Sequence, residues 1–162
     1  MGQQIEGYFE DFSEGMTFVT AGRTITETDI VNFAGLSGDF NPIHTDATYA
    51  ASTPFGQRIT HGLLGLSIAS GLTTGLGFMG DKVEAFMGLD WKFRAPIFIG
   101  DTIRTKMTVS KVRSMKRLNG GLVNLAVDVI KQDDTTVQRG VWKVLFKNRP
   151  KAEEIATHDD AE

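Results

Sequence analysis

Asp39 and His44 stand five residues apart across Asn41-Pro42, with Phe40, Ile43 and, further on, Phe55 around them. A carboxylate and an imidazole brought together in an apolar pocket can hold one water between them and exchange protons with it, which is the equipment for adding or removing water. Positioned acid and base groups contribute about 10²- to 10⁴-fold each, so the pair alone is a partial catalyst. A third part is on offer at Gly62, where Thr60-His61-Gly62 opens a long apolar segment rich in small residues. The first amides of a helix have no acceptor within it and carry partial positive charge, so one can stabilise an oxyanion forming on a carbonyl. Glycine lets that carbonyl come close.

Each of these residues also has a plainer reading. Asp39 alone is a turn or capping residue, a lone His44 is a packed or exposed histidine, and Ser70 is a small residue on a helix. Asp46 caps the short helix that follows it, and His61 is structural, bonding the loop. A different chemistry is open as well, since His44, Asp46 and His61 have the composition of a two-histidine, one-carboxylate metal site. His158 falls in the C-terminal tail and is assigned no role.

The elements that must position these groups follow from pattern. Residues 16–25 alternate loosely and read as an edge strand. Thr26-Glu27-Thr28-Asp29 has the form of a capping-box helix start, with Ile30, Phe33, Ala34 and Ser37 at helical spacing, so a helix is expected over 27–37 and Gly38 stops it. Asn41-Pro42 prevents easy continuation and forces a turn. A second short helix is expected over 46–52, a loop over 53–58, and one central helix over 62–79. That helix carries glycines costing up to about 1 kcal/mol each against alanine, so tight packing must compensate, or the glycine-rich 75–80 is a frayed end.

From residue 83 the chain turns to strands. Segments 83–94, 102–112, 122–131 and 137–146 carry the period-2 pattern of half-buried strands, and Asn119-Gly120-Gly121 and Asp133-Asp134 read as hairpin connections joining the last three antiparallel. Segregated helices and strands argue α+β, with an antiparallel sheet wrapped around one long helix. Residues 1–150 read as a single domain and 151–162 as a polar, acidic, disordered tail.

Composition excludes other classes. The 162 residues contain no cysteine, so disulfides, thiolate metal sites and a cysteine nucleophile are out. The net charge of −3 and the dispersal of the 17 basic residues argue against nucleic acid as a partner. The N-terminus lacks a signal-peptide layout and the segment 63–79 is too polar and short to span a membrane, so no membrane partner and a cytoplasmic location are expected. Lys92, Arg94 and the run from Lys111 to Arg117 are basic enough to meet phosphates but read equally well as solvated surface.

The stretch Phe33-Ala34-Gly35-Leu36-Ser37-Gly38-Asp39-Phe40-Asn41-Pro42-Ile43-His44-Thr45-Asp46, followed by Phe55 and His61-Gly62-Leu63, closely resembles the hydratase motif of MaoC-like (R)-specific enoyl-CoA hydratases. The resemblance implies a hot-dog fold, a homodimer or dimer-based oligomer, and reversible syn addition of water to a trans-2-enoyl thioester in fatty acid metabolism. It makes Asp39 and His44 the catalytic pair, Gly62 the amide facing the thioester oxygen and Ser70 a serine supporting the site from the central helix. Asn41, Pro42 and His61 become supports of the loop. The substrate is a coenzyme A or acyl carrier protein thioester, with no cofactor and no metal. Leu63, where methionine is common, is a conservative departure. Acyl length would be set by pocket depth, for which Leu64, Ile68, Leu72, Leu76, Phe78, Met79 and Phe86 are the candidates. A thioesterase on the same fold and a non-catalytic acyl-thioester-binding subunit of a dehydratase are the rival readings.

Overall fold

The computed structural model describes residues 5–150; the expected tail at 151–162 lies outside the described residues. A 3₁₀ turn at Phe9–Asp11 leads to two short strands, β1 (Thr17–Val19) and β2 (Arg23–Thr24). Helices α1 (Glu27–Ser37), α2 (Pro42–Thr45), α3 (Ala47–Ala51) and α4 (Gly62–Thr74) follow, then β3 (Val83–Phe93), β4 (Thr102–Met115), β5 (Gly120–Lys131) and β6 (Thr136–Lys147). All pairings are antiparallel, in the order β1-β4-β5-β6-β3, with β2 also on β4. The sheet curls around α4, giving the expected α+β architecture.

Burial follows the alternation. Ile103, Met107 and Val109 of β4, Val123, Leu125, Val127 and Val129 of β5, and Trp142, Val144 and Phe146 of β6 are at most 1% exposed and form the wall on which α4 rests. From α4 the wall receives Leu64, Ile68 and Ala69. Small residues matter at that contact, because Gly65 meets Gln138 and Ile97 so closely that an added Cβ would fall 2.4 Å and 2.9 Å from them. The opposite stripe of α4, with Leu63, Ser67, Ser70, Gly71 and Thr74, is exposed in this chain. The central helix is therefore covered by the sheet on one side, not on all sides.

Several boundaries differ from expectation for physical reasons. The first strand is broken into β1 and β2, with the Thr20 hydroxyl accepting the Thr105 amide at 2.9 Å in the gap. Helix α4 ends at Thr74, five residues early. There Gly75 and Gly77 follow, and Phe78 leaves the helical path to pack between Phe12 and Phe18, at 5.7 and 4.5 Å between ring centroids. Gly120 and Gly121 belong to β5 and not to a hairpin loop, since a Cβ on Gly121 would fall 2.0 Å from the Phe9 ring. The β4–β5 turn is made instead by a 3₁₀ turn ending at Asn119, with φ 46°. Helix α1 matches its predicted span, and its Thr26–Asp29 capping box is formed. Among the described residues no helix is long and apolar enough to cross a membrane.

Among the described residues strand β3 reaches the sheet through β6 alone, pairing Trp91 with Gly140. A Cβ at Gly140 would stand 2.0 Å from the Asp90 carbonyl oxygen, which is backbone and cannot swing away. Gly140→Ala should destabilise the fold by about 1–3 kcal/mol in equilibrium urea unfolding. A midpoint equal to wild type would contradict the close β3–β6 approach.

Candidate active site

Asp39 and His44 cluster with His61, while His44 and Gly62 line one cavity whose lining does not include Asp39. Gly38 ends α1 in the left-handed conformation, φ 76°, which turns the chain sharply into the loop. The Asp39 carboxylate accepts the Asn41 amide at 3.2 Å, and the Asn41 side chain accepts the Ile43 amide at 3.2 Å as the cap of α2. Pro42 takes the first helical position, where its missing N–H costs nothing. The proline expected to force a turn thus also starts a helical turn, and that turn carries His44.

His44 is half-buried, and its Nδ1 lies 2.7 Å from the Ile59 carbonyl oxygen. A carbonyl only accepts, so Nδ1 holds the proton and Nε2 is left with a free lone pair. His61, 2% exposed, donates from Nε2 to the Asp39 carbonyl at 2.9 Å. Its Nδ1 is buried without a partner among the described residues, a cost of about 1–3 kcal/mol. The two imidazoles stack, with centroids 3.8 Å apart and 28° between planes, and Phe33 packs against His61 at 5.0 Å. One ligating atom from each of Asp39, His44 and His61 lies within 4.8 Å of the others. Asp46 stands apart from this trio. It caps α3, accepting the Tyr49 amide at 2.9 Å, so the metal set of His44, Asp46 and His61 is not assembled.

Burial pushes the His44 imidazole below the usual histidine value; the Ile59 hydrogen bond opposes this, His61 adds to it, and Asp39 opposes it. His44 and Gly62 share a cavity of about 460 Å³, walled by Phe55, Ile59, Leu63, Phe93, Pro96 and Ile97, with Arg94 and Gln138 also lining it. Gly62 opens α4, and the Phe93 ring occupies the space beside it, 2.8 Å from where a Cβ would be. None of the seven residues expected to set pocket depth lines this cavity. Leu64, Ile68 and Leu72 instead line a separate cavity of about 580 Å³ between α1 and α4, which is larger but holds none of Asp39, His44 and Gly62. Phe78 lies in the core and Phe86 is 46% exposed on β3. Ser70 sits on the exposed stripe of α4 and lines neither cavity, so within this chain it is not brought to the site.

Residues 11–130 match the family model described as MaoC like domain. The chain belongs to the MaoC-like domain family. Among its relatives, the (R)-specific enoyl-CoA hydratase of Rhodospirillum rubrum is 42% identical over 107 residues, covering 64% of this chain and 69% of that protein. Protein MaoC of Klebsiella aerogenes is 41% identical over 105 residues, 64% of this chain but only 31% of that longer protein. A solved structure described as a monoamine oxidase regulatory protein from Archaeoglobus fulgius superposes with a TM-score of 0.82 at 36% identity, covering 88% of this chain and 95% of that one. The sheet curled around α4 is the hot-dog fold, and the MaoC-like family is one of hydratases and dehydratases.

Sequence reading missed the Ile59 carbonyl, which has no side-chain signature, and Gln138, which has one. Counting by twos back from Phe146, Val144 and Trp142 puts a glutamine on the core face of β6. For His44, the depressed value has a direct check. Its imidazole should titrate by NMR with a midpoint below about 6.5; a midpoint at or above that would contradict a ring whose burial outweighs its Ile59 hydrogen bond.

Proposed function

We propose that this MaoC-like protein is a hydro-lyase that reversibly adds water to a trans-2-enoyl thioester, giving the (R)-3-hydroxyacyl thioester. The observation that carries the reading is the His44–Ile59 hydrogen bond, which leaves Nε2 unprotonated on a residue that clusters with Asp39 and His61 and lines one cavity with Gly62. Asp39 and His44 hold one water. Its oxygen bonds to Cβ, one of its protons passes through the pair to Cα, and the negative charge that gathers on the thioester oxygen meets the Gly62 N–H at the start of α4. Such an amide contributes on the order of 3 kcal/mol at the transition state. Atoms balance with no cofactor and no metal. Asn41 and Pro42 hold the loop by capping α2, and His61 holds it through the Asp39 carbonyl.

The substrate carrier is coenzyme A or an acyl carrier protein, which present the same pantetheine thioester. The functional unit is a homodimer or dimer-based oligomer of single hot-dog domains, in the cytoplasm. Strand β3 supports the dimer, because among the described residues its outer edge has no partner and its Phe86, Leu89 and Phe93 are 46–55% exposed. Phe93 also walls the cavity, so a partner on that edge would help close it. Ser70, on the exposed stripe of α4, would join a site only across such an interface.

In an assay across trans-2-enoyl-CoA lengths, enoyl absorbance should fall without thiol release. Asp39→Ala and His44→Ala should each lower kcat by about 10²-fold or more. Thiol release from saturated acyl-CoA at a matching rate would favour the thioesterase, no turnover by the wild type would favour a binding subunit, and wild-type rates in both variants would overturn the mechanism.

A further inference from the structure

Gln138 ties the wall of the sheet to the first residue of α4. It is 2% exposed, on the core face of β6, and lines the His44 cavity. A buried primary amide is costly unless bonded, so its partners show what it is held against. Its Nε2 donates to the Gly62 carbonyl at 3.0 Å, and its Oε1 accepts the Trp91 indole N–H at 3.1 Å. An indole nitrogen only donates, so Trp91 dictates which end of the amide is oxygen, and the NH₂ must face Gly62.

The surrounding glycines clear this path. A Cβ at Gly65 would stand 2.4 Å from Gln138 Nε2, and one at Gly140 would stand 2.6 Å from the Trp91 ring. A helix needs no side-chain donor on the carbonyl of its first residue, which already accepts from within the helix. Gly62, without a Cβ, is the residue of that turn whose backbone is least restrained. The bond therefore supplies what the glycine lacks.

We propose that Gln138 is a positioning residue. Its amide, oriented by Trp91, fixes the Gly62 residue so that the Gly62 N–H stands where the thioester oxygen arrives. It acts through Gly62 and does not touch the reacting atoms. This deepens the hydratase reading and rests on it.

Gln138→Met keeps length and volume but removes both bonds, Gln138→Glu keeps the acceptor for Trp91 and loses the donor to Gly62, and Trp91→Phe leaves the glutamine but frees its orientation. With trans-2-enoyl-CoA, kcat should fall about tenfold in both Gln138 variants and about threefold in Trp91→Phe, with KM within about twofold of wild type. The Trp91→Phe/Gln138→Met double variant should be no slower than Gln138→Met alone. Independently of turnover, the Gly62 amide resonance should shift and its hydrogen exchange quicken in unliganded Gln138→Met, while the His44 titration midpoint stays put. Wild-type kcat in Gln138→Met, or a folded Gln138→Met with an unmoved Gly62 amide, would overturn the proposal. Should Gln138→Met not fold, the same two readouts on Trp91→Phe decide it. A wild type inactive on every enoyl thioester would instead sink the hydratase reading, and the Gly62 amide would still decide whether the brace exists.

Discussion

The Ile59 carbonyl, 2.7 Å from His44 Nδ1, decides which nitrogen of that imidazole is free. In the other tautomer Nδ1 would set a lone pair against that carbonyl and Nε2 would hold the proton, with no lone pair left there to take a proton from water. Holding one tautomer requires Ile59 and α2 to keep a fixed distance. Ile59 is fixed by its bridge to Phe98, and the next residue, Thr60, donates its amide to Ile97 at 2.7 Å. The α2 side is fixed by the Asn41 cap and by His61, which bonds the Asp39 carbonyl and stacks against His44. Burial works in the same direction, favouring the neutral ring that the proposed chemistry needs.

The sheet contributes the packed frame against which the site is set. Loops and single helical turns carry Asp39 and His44, whereas Gly62 stands on a helix packed into the wall of β4, β5 and β6. The two halves meet at His61, which caps α4 with its backbone and holds the Asp39 loop with its side chain. Within the chain, the 61–62 segment is therefore the joint between the loop and the core. A substitution at His61 that is tolerated by the fold would still loosen the spacing between the Asp39 loop and the Gly62 amide.

Much of this was readable from residue types. The Thr26–Asp29 capping box and Gly38 fixed both ends of α1, and strict alternation placed the core faces of β4 and β5, because those signals are local and each matches one backbone conformation. Asp39, Asn41, His44 and His61 lie close in sequence or in a tight motif, so their meeting was also foreseeable. What escaped depends on distant packing. The end of α4 is set by where Phe78 finds Phe12 and Phe18, Gly120 and Gly121 are strand residues because of Phe9 and Phe146, and the cavity walls come largely from 55–60 and 93–97, with the helix adding only Gly62 and Leu63. None of these contacts leaves a periodic trace. Ser70 reads as a site residue from the motif alone, and the geometry of this chain leaves it on the far exposed stripe of α4.

The central claim is that Asp39 and His44 act on a single water. Groups that share one molecule cannot lose it twice, so their effects should be grossly non-additive. The hydration rate of the Asp39→Ala/His44→Ala double variant, set beside both single variants on one enoyl-CoA, tests this most directly. A double variant no slower than the worse single variant is the expected result. A double variant whose loss equals the product of the two single losses would mean that the residues act on separate steps, and would contradict the shared water.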